Sequence, residues 1–204
     1  MYFGFNGRKM ITQYSFGQDY NGLNRNVIEK YKEWANAEIR ADLQENRSDM
    51  VNIFINLEGD YNKACGIRSH NAFLGREVFI VGRRRFNRNG CVGTNHYETI
   101  YHADNLAEVV SLLHMEGYTV FAVDNVFDFK PENIFDVKFP IKSAFVYGEE
   151  GAGLSIEDME LCDRMIYVQQ YGSVRSLNVA SAASIIMYEY TKQFMEKEWN
   201  GLIN

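Results

Sequence analysis

Cysteine is scarce in this sequence, and its placement argues against the two structures that cysteines most often build. The 204 residues include Cys65, Cys91 and Cys162, which are odd in number and widely spaced. No CxxC pair is present, so neither a disulfide framework nor a zinc site is expected. The four histidines do not stand at metal-ligand spacing with cysteine or aspartate, and we expect no metal. A reducing, cytoplasmic location is therefore favoured.

Proline and long apolar runs are also lacking. With two prolines and 16 glycines, the composition does not suggest a disordered linker. No apolar run approaches the length of a membrane span, and the N-terminal residues lack the charged-then-apolar order of a signal peptide. The formal net charge of −6 weighs against a nucleic-acid partner, although the local distribution of charge decides that question.

Two nucleotide-binding fingerprints are missing as well. The first predicted strand is not followed by GxGxxG, which argues against a classical dinucleotide domain. The sequence GxxxxGK[ST] does not occur, which argues against a P-loop NTPase.

The sequence does contain a regular alternation of strand and helix patterns. Continuous apolar runs predict strands at 50–57, 77–81, 118–123, 142–147 and 164–168. Helices are predicted at 62–74, 105–115, 155–162 with Ser155 as N-cap, and from Val179 onward. Segments 82–100 and 124–140 are predicted to be loops. Because fully apolar strands are typical of sheets covered on both faces, we expect an α/β fold with a mostly parallel sheet.

The chain is expected to have two parts. Residues 1–48 form an N-terminal aromatic segment and helical arm, in which an amphipathic pattern predicts a helix over 24–46. The aromatic segment, 1–22, cannot form a core alone and should lie against the main domain or a partner subunit. Residues 49–204 form the main domain.

Polar or glycine-rich segments follow four predicted strands, at 58–62, 124–125, 148–153 and 169–173. Ligands of open α/β sheets bind beyond the carboxyl ends of the strands, so these segments are expected to form one site. The last segment leads into the small residues of 180–184. That helix start is open to two interpretations: a buried helix with a serine N-cap, or a turn whose unpaired backbone N–H groups bind a ligand.

Three short motifs lie in or beside these segments, at 62–68 (NKACGIR), 148–154 (GEEGAGL) and 176–179 (SLNV). In this order they resemble the signature motifs of the SpoU/TrmH-type SPOUT RNA 2′-O-ribose methyltransferases, over about residues 50–192. The resemblance implies methyl transfer from S-adenosylmethionine to a ribose 2′-hydroxyl of tRNA or rRNA. It also implies a C-terminal deep trefoil knot that binds the cofactor, and a homodimer with the site near the subunit interface.

The resemblance also assigns functional residues. The catalytic motif positions are filled by Asn62, Arg68, Glu150, Ser176 and Asn178. The cofactor-binding positions are Gly148, Val168 and Leu177, with Val123 added because it ends the third predicted strand. Each residue also has an ordinary structural interpretation, as a helix cap, a surface side chain or a solvated loop carboxylate. In one departure, Val168-Gln169-Gln170 replaces the usual Ile-Pro-Met, so the cofactor loop lacks its stiffening proline.

The chemistry needs a path for one proton. A ribose hydroxyl is a poor nucleophile until it loses its proton, and it must lie in line with the methyl carbon and the sulfur. A guanidinium is normally protonated. We therefore expect Arg68 to hold the phosphate of the target nucleotide, which can help to take the proton, rather than to act alone as a base.

Arginine is concentrated after the second predicted strand. The residues expected to bind RNA phosphates are Arg83, Arg84, Arg85 and Arg88, and Arg76 belongs to the same run. Phe86 and Tyr97 lie near them and are candidates for stacking on bases. The alternative is a solvated basic loop.

Two other functions stay open at this level. The chain could be a non-catalytic RNA-binding or assembly factor that retains the methyltransferase fold, or an α/β enzyme with a different nucleotide ligand. Binding of cofactor and RNA without turnover would favour the first. Failure to bind S-adenosylhomocysteine would favour the second.

Overall fold

The computed structural model describes residues 11–16, 25–58 and 61–194. The strands are β1 (Ile11–Gln13), β2 (Val51–Asn56), β3 (Glu77–Gly82), β4 (Ile100–Ala103), β5 (Thr119–Val123), β6 (Glu132–Asn133), β7 (Ser143–Tyr147) and β8 (Arg164–Tyr167). The α-helices are α1 (Asn36–Asn46), α2 (Asn62–Ala72), α3 (Leu106–Met115), α4 (Ile156–Glu160) and α5 (Val179–Phe194). All five predicted strands and the four predicted helices of the main domain are present, with boundaries shifted by a few residues.

The eight strands form one sheet in the order β1-β4-β3-β2-β7-β5-β8-β6. Every pairing is parallel except that of β1 with β4. All residues of β2 and β7, at the centre, are buried. The predicted α/β fold with a mostly parallel sheet is therefore confirmed, for the physical reason expected: central parallel strands are apolar on both faces.

Helices cover both faces of this sheet. Apolar side chains of α3 and α4 belong to the core on one face. Those of α2 and α5 belong to the core on the other face. Helix α2 lies close to β2 because Gly66 has no side chain, and a Cβ there would stand 2.6 Å from Cε1 of Phe54. None of the described helices is long and apolar enough to cross a bilayer.

Strands β1, β4 and β6 were not predicted. Each has two to four residues, too few to show a strand period. Strand β6 lies inside 124–140, so the prediction of an uninterrupted loop there was wrong. The segment before β4 contains two 3₁₀ turns, Arg88–Cys91 and Thr94–His96.

The predicted arm helix over 24–46 was wrong in its first half. Over the described part of this span, residues 25–46, only α1 and a 3₁₀ turn at Glu29–Tyr31 form. The guanidinium of Arg25 explains the break, because it donates to the carbonyl oxygens of Tyr31, Lys32 and Trp34 at 2.9, 2.7 and 2.5 Å. Carbonyls bound in this way are turned away from a continuous helix.

The arm packs against the main domain. Ile39 and Leu43 of α1 form a small apolar cluster with Tyr31 and Tyr97. From the aromatic segment, Tyr14 and Phe16 are described, and both pack against the main domain, as predicted. The other aromatic residues of that segment, Tyr2, Phe3, Phe5 and Tyr20, lie outside the described residues.

Candidate active site

The three motifs meet in one hydrogen-bonded group, the motif cluster, formed by Asn62, Glu150 and Asn178. One carboxylate oxygen of Glu150 accepts from the Asn62 side-chain amide at 3.2 Å and from that of Asn178 at 3.1 Å. The Asn178 amide also donates to Oδ1 of Asn62 at 2.9 Å. Residues from α2, from the turn after β7 and from the start of α5 are thereby held together.

The start of α5 is capped within the protein. Oδ1 of Asn178 accepts from the backbone N–H groups of Ala180 and Ser181 at 3.0 and 3.2 Å. The N–H of Val179 donates to Glu150 at 3.1 Å. These first N–H groups are therefore occupied within the protein and are not free for a ligand, and the capping residue is asparagine rather than serine.

A tight turn follows β7 and carries the second motif. The backbones of Glu149 and Gly153 bond to each other in both directions, at 3.1 and 2.9 Å. Gly148 lies beneath this turn, where a Cβ would stand 2.5 Å from the carbonyl oxygen of Gly153 and 2.6 Å from the nitrogen of Leu154. Asp124 fixes the far end of the turn by accepting from the N–H of Leu154 at 3.1 Å.

A cavity of about 390 Å³ opens beside the motif cluster at the carboxyl ends of β5, β7 and β8. Its lining includes all four predicted cofactor-binding residues, Val123, Gly148, Val168 and Leu177. Glu150 and Ser176 also line it, whereas Asn62 and Asn178 do not line it and belong to the motif cluster. The four polar strand ends predicted to form one site contribute to this region, although Gly59 and Asp60 lie outside the described residues.

Arg68 stands apart from the cavity and from the motif cluster. It lies on α2 and is exposed. It does not line the cavity, and it makes no hydrogen bond or ion pair with any residue in the described part of the chain. Its guanidinium is therefore available to an external anion.

Three of the predicted RNA-binding arginines are anchored where β3 ends. Asn56 of β2 donates to the carbonyl oxygens of Arg83 and Arg85, the latter at 3.2 Å. The guanidinium of Arg84 lies 4.7 Å from the ring centre of Tyr14, and Arg83 donates to the carbonyl of Glu58 at 3.1 Å. This loop therefore leaves the sheet at the same edge as the motif cluster.

Two parts of the predicted basic surface were wrong. Arg76 precedes β3 and pairs with Asp49 at 2.6 Å, so the length of the strand separates it from the other arginines. Tyr97 is 4% exposed and packs in the arm cluster, so it is not available to stack on a base. Closeness in sequence suggested one shared surface. Arg76 is not part of it because β3 runs between Arg76 and the other arginines. Tyr97 is not part of it because its side chain is buried.

The contacts of several residues in the predicted site segments were not predicted from sequence. Lys63 and Glu149 form a buried ion pair directly behind the motif cluster. Asn125 donates from its side chain to the carbonyl of Arg175 at 2.8 Å and so ties the loop after β5 to the residue that precedes the third motif. Charged residues inside two motifs were the available signal for the pair, but sequence spacing does not show which charges meet.

A buried polar network lies at the opposite edge of the sheet from the motif cluster. Arg47 pairs with Glu98 at 2.7 Å, and Asn52 bonds to the ring of His70 at 2.8 Å. Burial, and secondarily the positive charge of Arg47, hold the pKa of His70 well below its usual range. Burial also raises the pKa of the Glu98 carboxyl. No group of three or more metal-ligating side chains occurs among the described residues.

The sheet order and the position of the cavity define an α/β protein with a cavity at the carboxyl edge of a mostly parallel sheet. Its particular family follows from comparison with known proteins. The chain belongs to the SpoU rRNA methylase family, whose model matches residues 49–188. This confirms the resemblance carried by the three motifs.

Individual relatives agree with this assignment. The tRNA (guanosine(18)-2′-O)-methyltransferase of Escherichia coli K12 is 27% identical over 139 residues, which are 65% of this chain and 58% of that protein. The match thus spans less than two thirds of the relative.

Solved structures share the fold. The crystal structure of the Aquifex aeolicus TrmH/SpoU tRNA modifying enzyme aligns with a TM-score of 0.67 at 23% identity, covering 78% of this chain and 81% of that one. The SpoU methyltransferase AviRb from Streptomyces viridochromogenes, in complex with AdoMet, aligns with a TM-score of 0.61 at 22% identity, covering 74% and 60%.

Proposed function

We propose that this protein transfers a methyl group from S-adenosylmethionine to a ribose 2′-hydroxyl of tRNA or rRNA. The observation that carries the proposal is the motif cluster. Three motifs that are far apart in sequence meet through Asn62, Glu150 and Asn178, beside a cavity lined by the four residues expected to bind the cofactor. Membership of the SpoU rRNA methylase family supports the same reaction.

The residues of the cavity fit S-adenosylmethionine. The cavity volume of about 390 Å³ lies within the range of about 300–1,000 Å³ that is usual for small-molecule sites. Gln170 lines the cavity, and its buried side-chain oxygen has no hydrogen-bond partner in the described part of the chain. The amino group of an adenine is a donor that suits such an acceptor. When bound, S-adenosylmethionine supplies a methyl group on a positively charged sulfur.

Protein residues take three roles in this proposal. The backbones of Gly148, Val168 and Leu177 hold the cofactor. The motif cluster keeps the turn after β7 and the start of α5 in place. Arg68 binds a phosphate of the target nucleotide, since its exposed guanidinium is free of internal partners among the described residues and a protonated guanidinium is a poor base. The phosphate then lies where it can help to take the hydroxyl proton.

RNA is proposed to approach over the edge that carries the arginine loop. Arg83, Arg84, Arg85 and Arg88 are exposed there although the whole chain is acidic. Arg85 has no side-chain partner among the described residues, so its charge is the most available of the four. A local cluster of this kind can supply phosphate contacts despite a negative net charge.

The assembly and the knot are also proposals. We infer a homodimer, supported by large apolar side chains on the outer face of α5, where Ile185 is 40% and Tyr188 59% exposed. We infer a C-terminal trefoil knot, supported by the return of the chain after β8 to the motif cluster and by the close contact of Ser69 with Ser184, 2.8 Å between hydroxyls. Such a contact between α2 and α5 suits the small residues of 180–184.

The division of the chain and its location in the cell complete the proposal. Residues 1–48 are the arm and residues 49–204 the methyltransferase domain, a boundary supported by the family match, which begins at residue 49. We place the protein in the cytoplasm, which is supported by three free cysteines and by the RNA substrates named for its relatives.

The test is transfer of tritiated methyl groups from S-adenosylmethionine to total RNA, followed by nucleoside analysis. We expect a 2′-O-methylnucleoside to form. Arg68→Ala should abolish it, whereas Arg76→Ala, an exposed arginine at the opposite edge, should not. Absence of any 2′-O-methylnucleoside on tRNA and rRNA would refute the proposal. Binding of S-adenosylhomocysteine and RNA without turnover would instead identify a non-catalytic factor.

A further inference from the structure

The ion pair of Lys63 with Glu149 lies immediately behind the motif cluster. We propose that it is a positioning pair, which sets the place of Glu150 and thereby shapes the cofactor cavity. This inference rests on the proposed function for its effect on the cofactor, but its structural part can be tested without any activity. Lys63 does not line the cavity. Glu149 does, but its carboxylate is 3% exposed and is held by Lys63 and by the N–H of Leu57, so we assign the pair a positioning role and not a catalytic one.

Both charges are withdrawn from solvent. The side chains are 1% and 3% exposed for Lys63 and Glu149, and the ammonium contacts one carboxylate oxygen. The other carboxylate oxygen accepts from the backbone N–H of Leu57 at 2.5 Å. One carboxylate on the turn after β7 therefore joins the carboxyl end of β2 and the first turn of α2.

The pair is adjacent in sequence to the motif cluster at both ends. Lys63 follows Asn62, and Glu149 precedes Glu150. The two glutamates divide the contacts between them: Glu149 binds inward to β2 and α2, while Glu150 binds to Asn62 and to the start of α5. A shift of the backbone at Glu149 moves the backbone of Glu150 as well, because one planar peptide unit joins them.

Stability alone does not account for a buried pair. Removing two charges from water costs about as much as their attraction returns, and apolar residues of similar volume are often equally stable. The directional contacts are what an apolar pair would lack. The contacts of Glu149 with Lys63 and Leu57 fix the distance between the turn after β7 and α2. Glu150 can reach Asn62 and Val179 only from a turn held at that distance.

The test compares wild type with Lys63→Met, Glu149→Gln and the double variant. Each single change removes one of two opposite buried charges and should lower the melting temperature. The double variant removes both charges, so its melting temperature should return toward that of wild type. If the pair positions Glu150, the double variant should bind S-adenosylhomocysteine about 10- to 100-fold more weakly than wild type in calorimetry, even though its stability has recovered.

Hydrogen exchange at the Val179 amide gives a readout that needs no ligand, because that amide donates to Glu150. We expect exchange at least about tenfold faster in the double variant. Glu149→Asp serves as a second variant, since it keeps the charge but shortens the reach by one methylene. It should speed the same exchange. Wild-type exchange and wild-type affinity in a folded double variant, or in Glu149→Asp, would overturn the proposal.

The matched control is another buried ion pair, Arg47 with Glu98, whose side chains are 2% and 0% exposed. Arg47→Met with Glu98→Gln should leave both S-adenosylhomocysteine affinity and Val179 exchange unchanged. Equal effects in this control would show a general loss of stability and would also overturn the proposal. If wild type itself does not bind S-adenosylhomocysteine, the proposed function fails, and exchange at Val179 still decides the positioning role.

Discussion

Gly148 offers a sharp test of how the cavity is built. Gly148→Ala places one methyl group beneath the turn after β7, where the new Cβ would stand 2.5 Å from the Gly153 oxygen and 2.6 Å from the Leu154 nitrogen. Ordinary contacts begin near 3.4 Å. The two backbones must therefore move apart by about 1 Å, because neither is the flexible end of a side chain.

Two effects of known size follow from that displacement. Overpacking of a close-packed site costs about 1–3 kcal/mol, which for a chain of this length lowers the melting temperature by roughly 2–12 °C. A displacement of about 1 Å in a binding loop should weaken S-adenosylhomocysteine binding tenfold or more, on the order of the losses seen when reacting groups are misplaced. Both follow from a steric clash, since Gly148 does not have the positive φ that would add backbone strain.

Calorimetry with S-adenosylhomocysteine and thermal unfolding measure these two effects. Gly172→Ala is the matched control, because a Cβ there meets no atom within 4 Å and the residue is not in the cavity lining. It should bind the ligand like wild type and be at least as stable. Wild-type affinity together with an unchanged melting temperature for Gly148→Ala would refute this account of the turn.

Three further predictions concern Arg68, Arg85 and His70. Arg68→Ala should reduce methyl transfer by about 100-fold or more while S-adenosylhomocysteine affinity stays unchanged, since Arg68 does not line the cavity; a parallel loss of affinity would contradict its phosphate role. Arg85→Ala should weaken RNA binding and reduce the slope of log affinity against log salt by about one, and Arg76→Ala should not. His70 stays neutral in the folded protein, because its pKa is held low, but in the unfolded chain it takes up a proton below about pH 6.5. The free energy of unfolding should therefore fall as pH drops below that value, by up to about 1.4 kcal/mol per pH unit, and less steeply in His70→Gln. Denaturant unfolding from pH 7.5 to 5.5 measures this dependence. Identical slopes of unfolding free energy against pH in wild type and His70→Gln would contradict the prediction.

The central part of the fold could be predicted from local pattern. A strand buried on both faces must be apolar along its whole length, so the central strands were visible as continuous runs. The short strands β1, β4 and β6 were not, because two to four residues carry no period. The arm helix was predicted too long for a different reason. The guanidinium of Arg25 binds the carbonyls of Tyr31 and Lys32, and such a contact between a side chain and a later turn leaves no mark on a helical pattern.

The candidate site divides in the same way. Residue types and their order were enough to predict the family, and the four residues named as cofactor-binding do line one cavity, since motifs are patterns of neighbours along the chain. Which side chains touch is a different matter. Asn62 lies 88 positions from Glu150 and 116 from Asn178, and only the packing of α2, β7 and α5 brings them within hydrogen-bond distance.

The charged residues show most plainly what folding adds. In the sequence, Arg76 stands close to the arginines of the basic loop, and nothing marks Lys63 as paired. In the structure, β3 separates Arg76 from that loop, and Lys63 forms a buried ion pair with Glu149. The sequence sets composition, periodicity and motif order, because these are properties of neighbours along the chain. Burial, pairing of charges and the edge at which a side chain lies depend on contacts between distant residues, and these exist only once the sheet and its helices have packed.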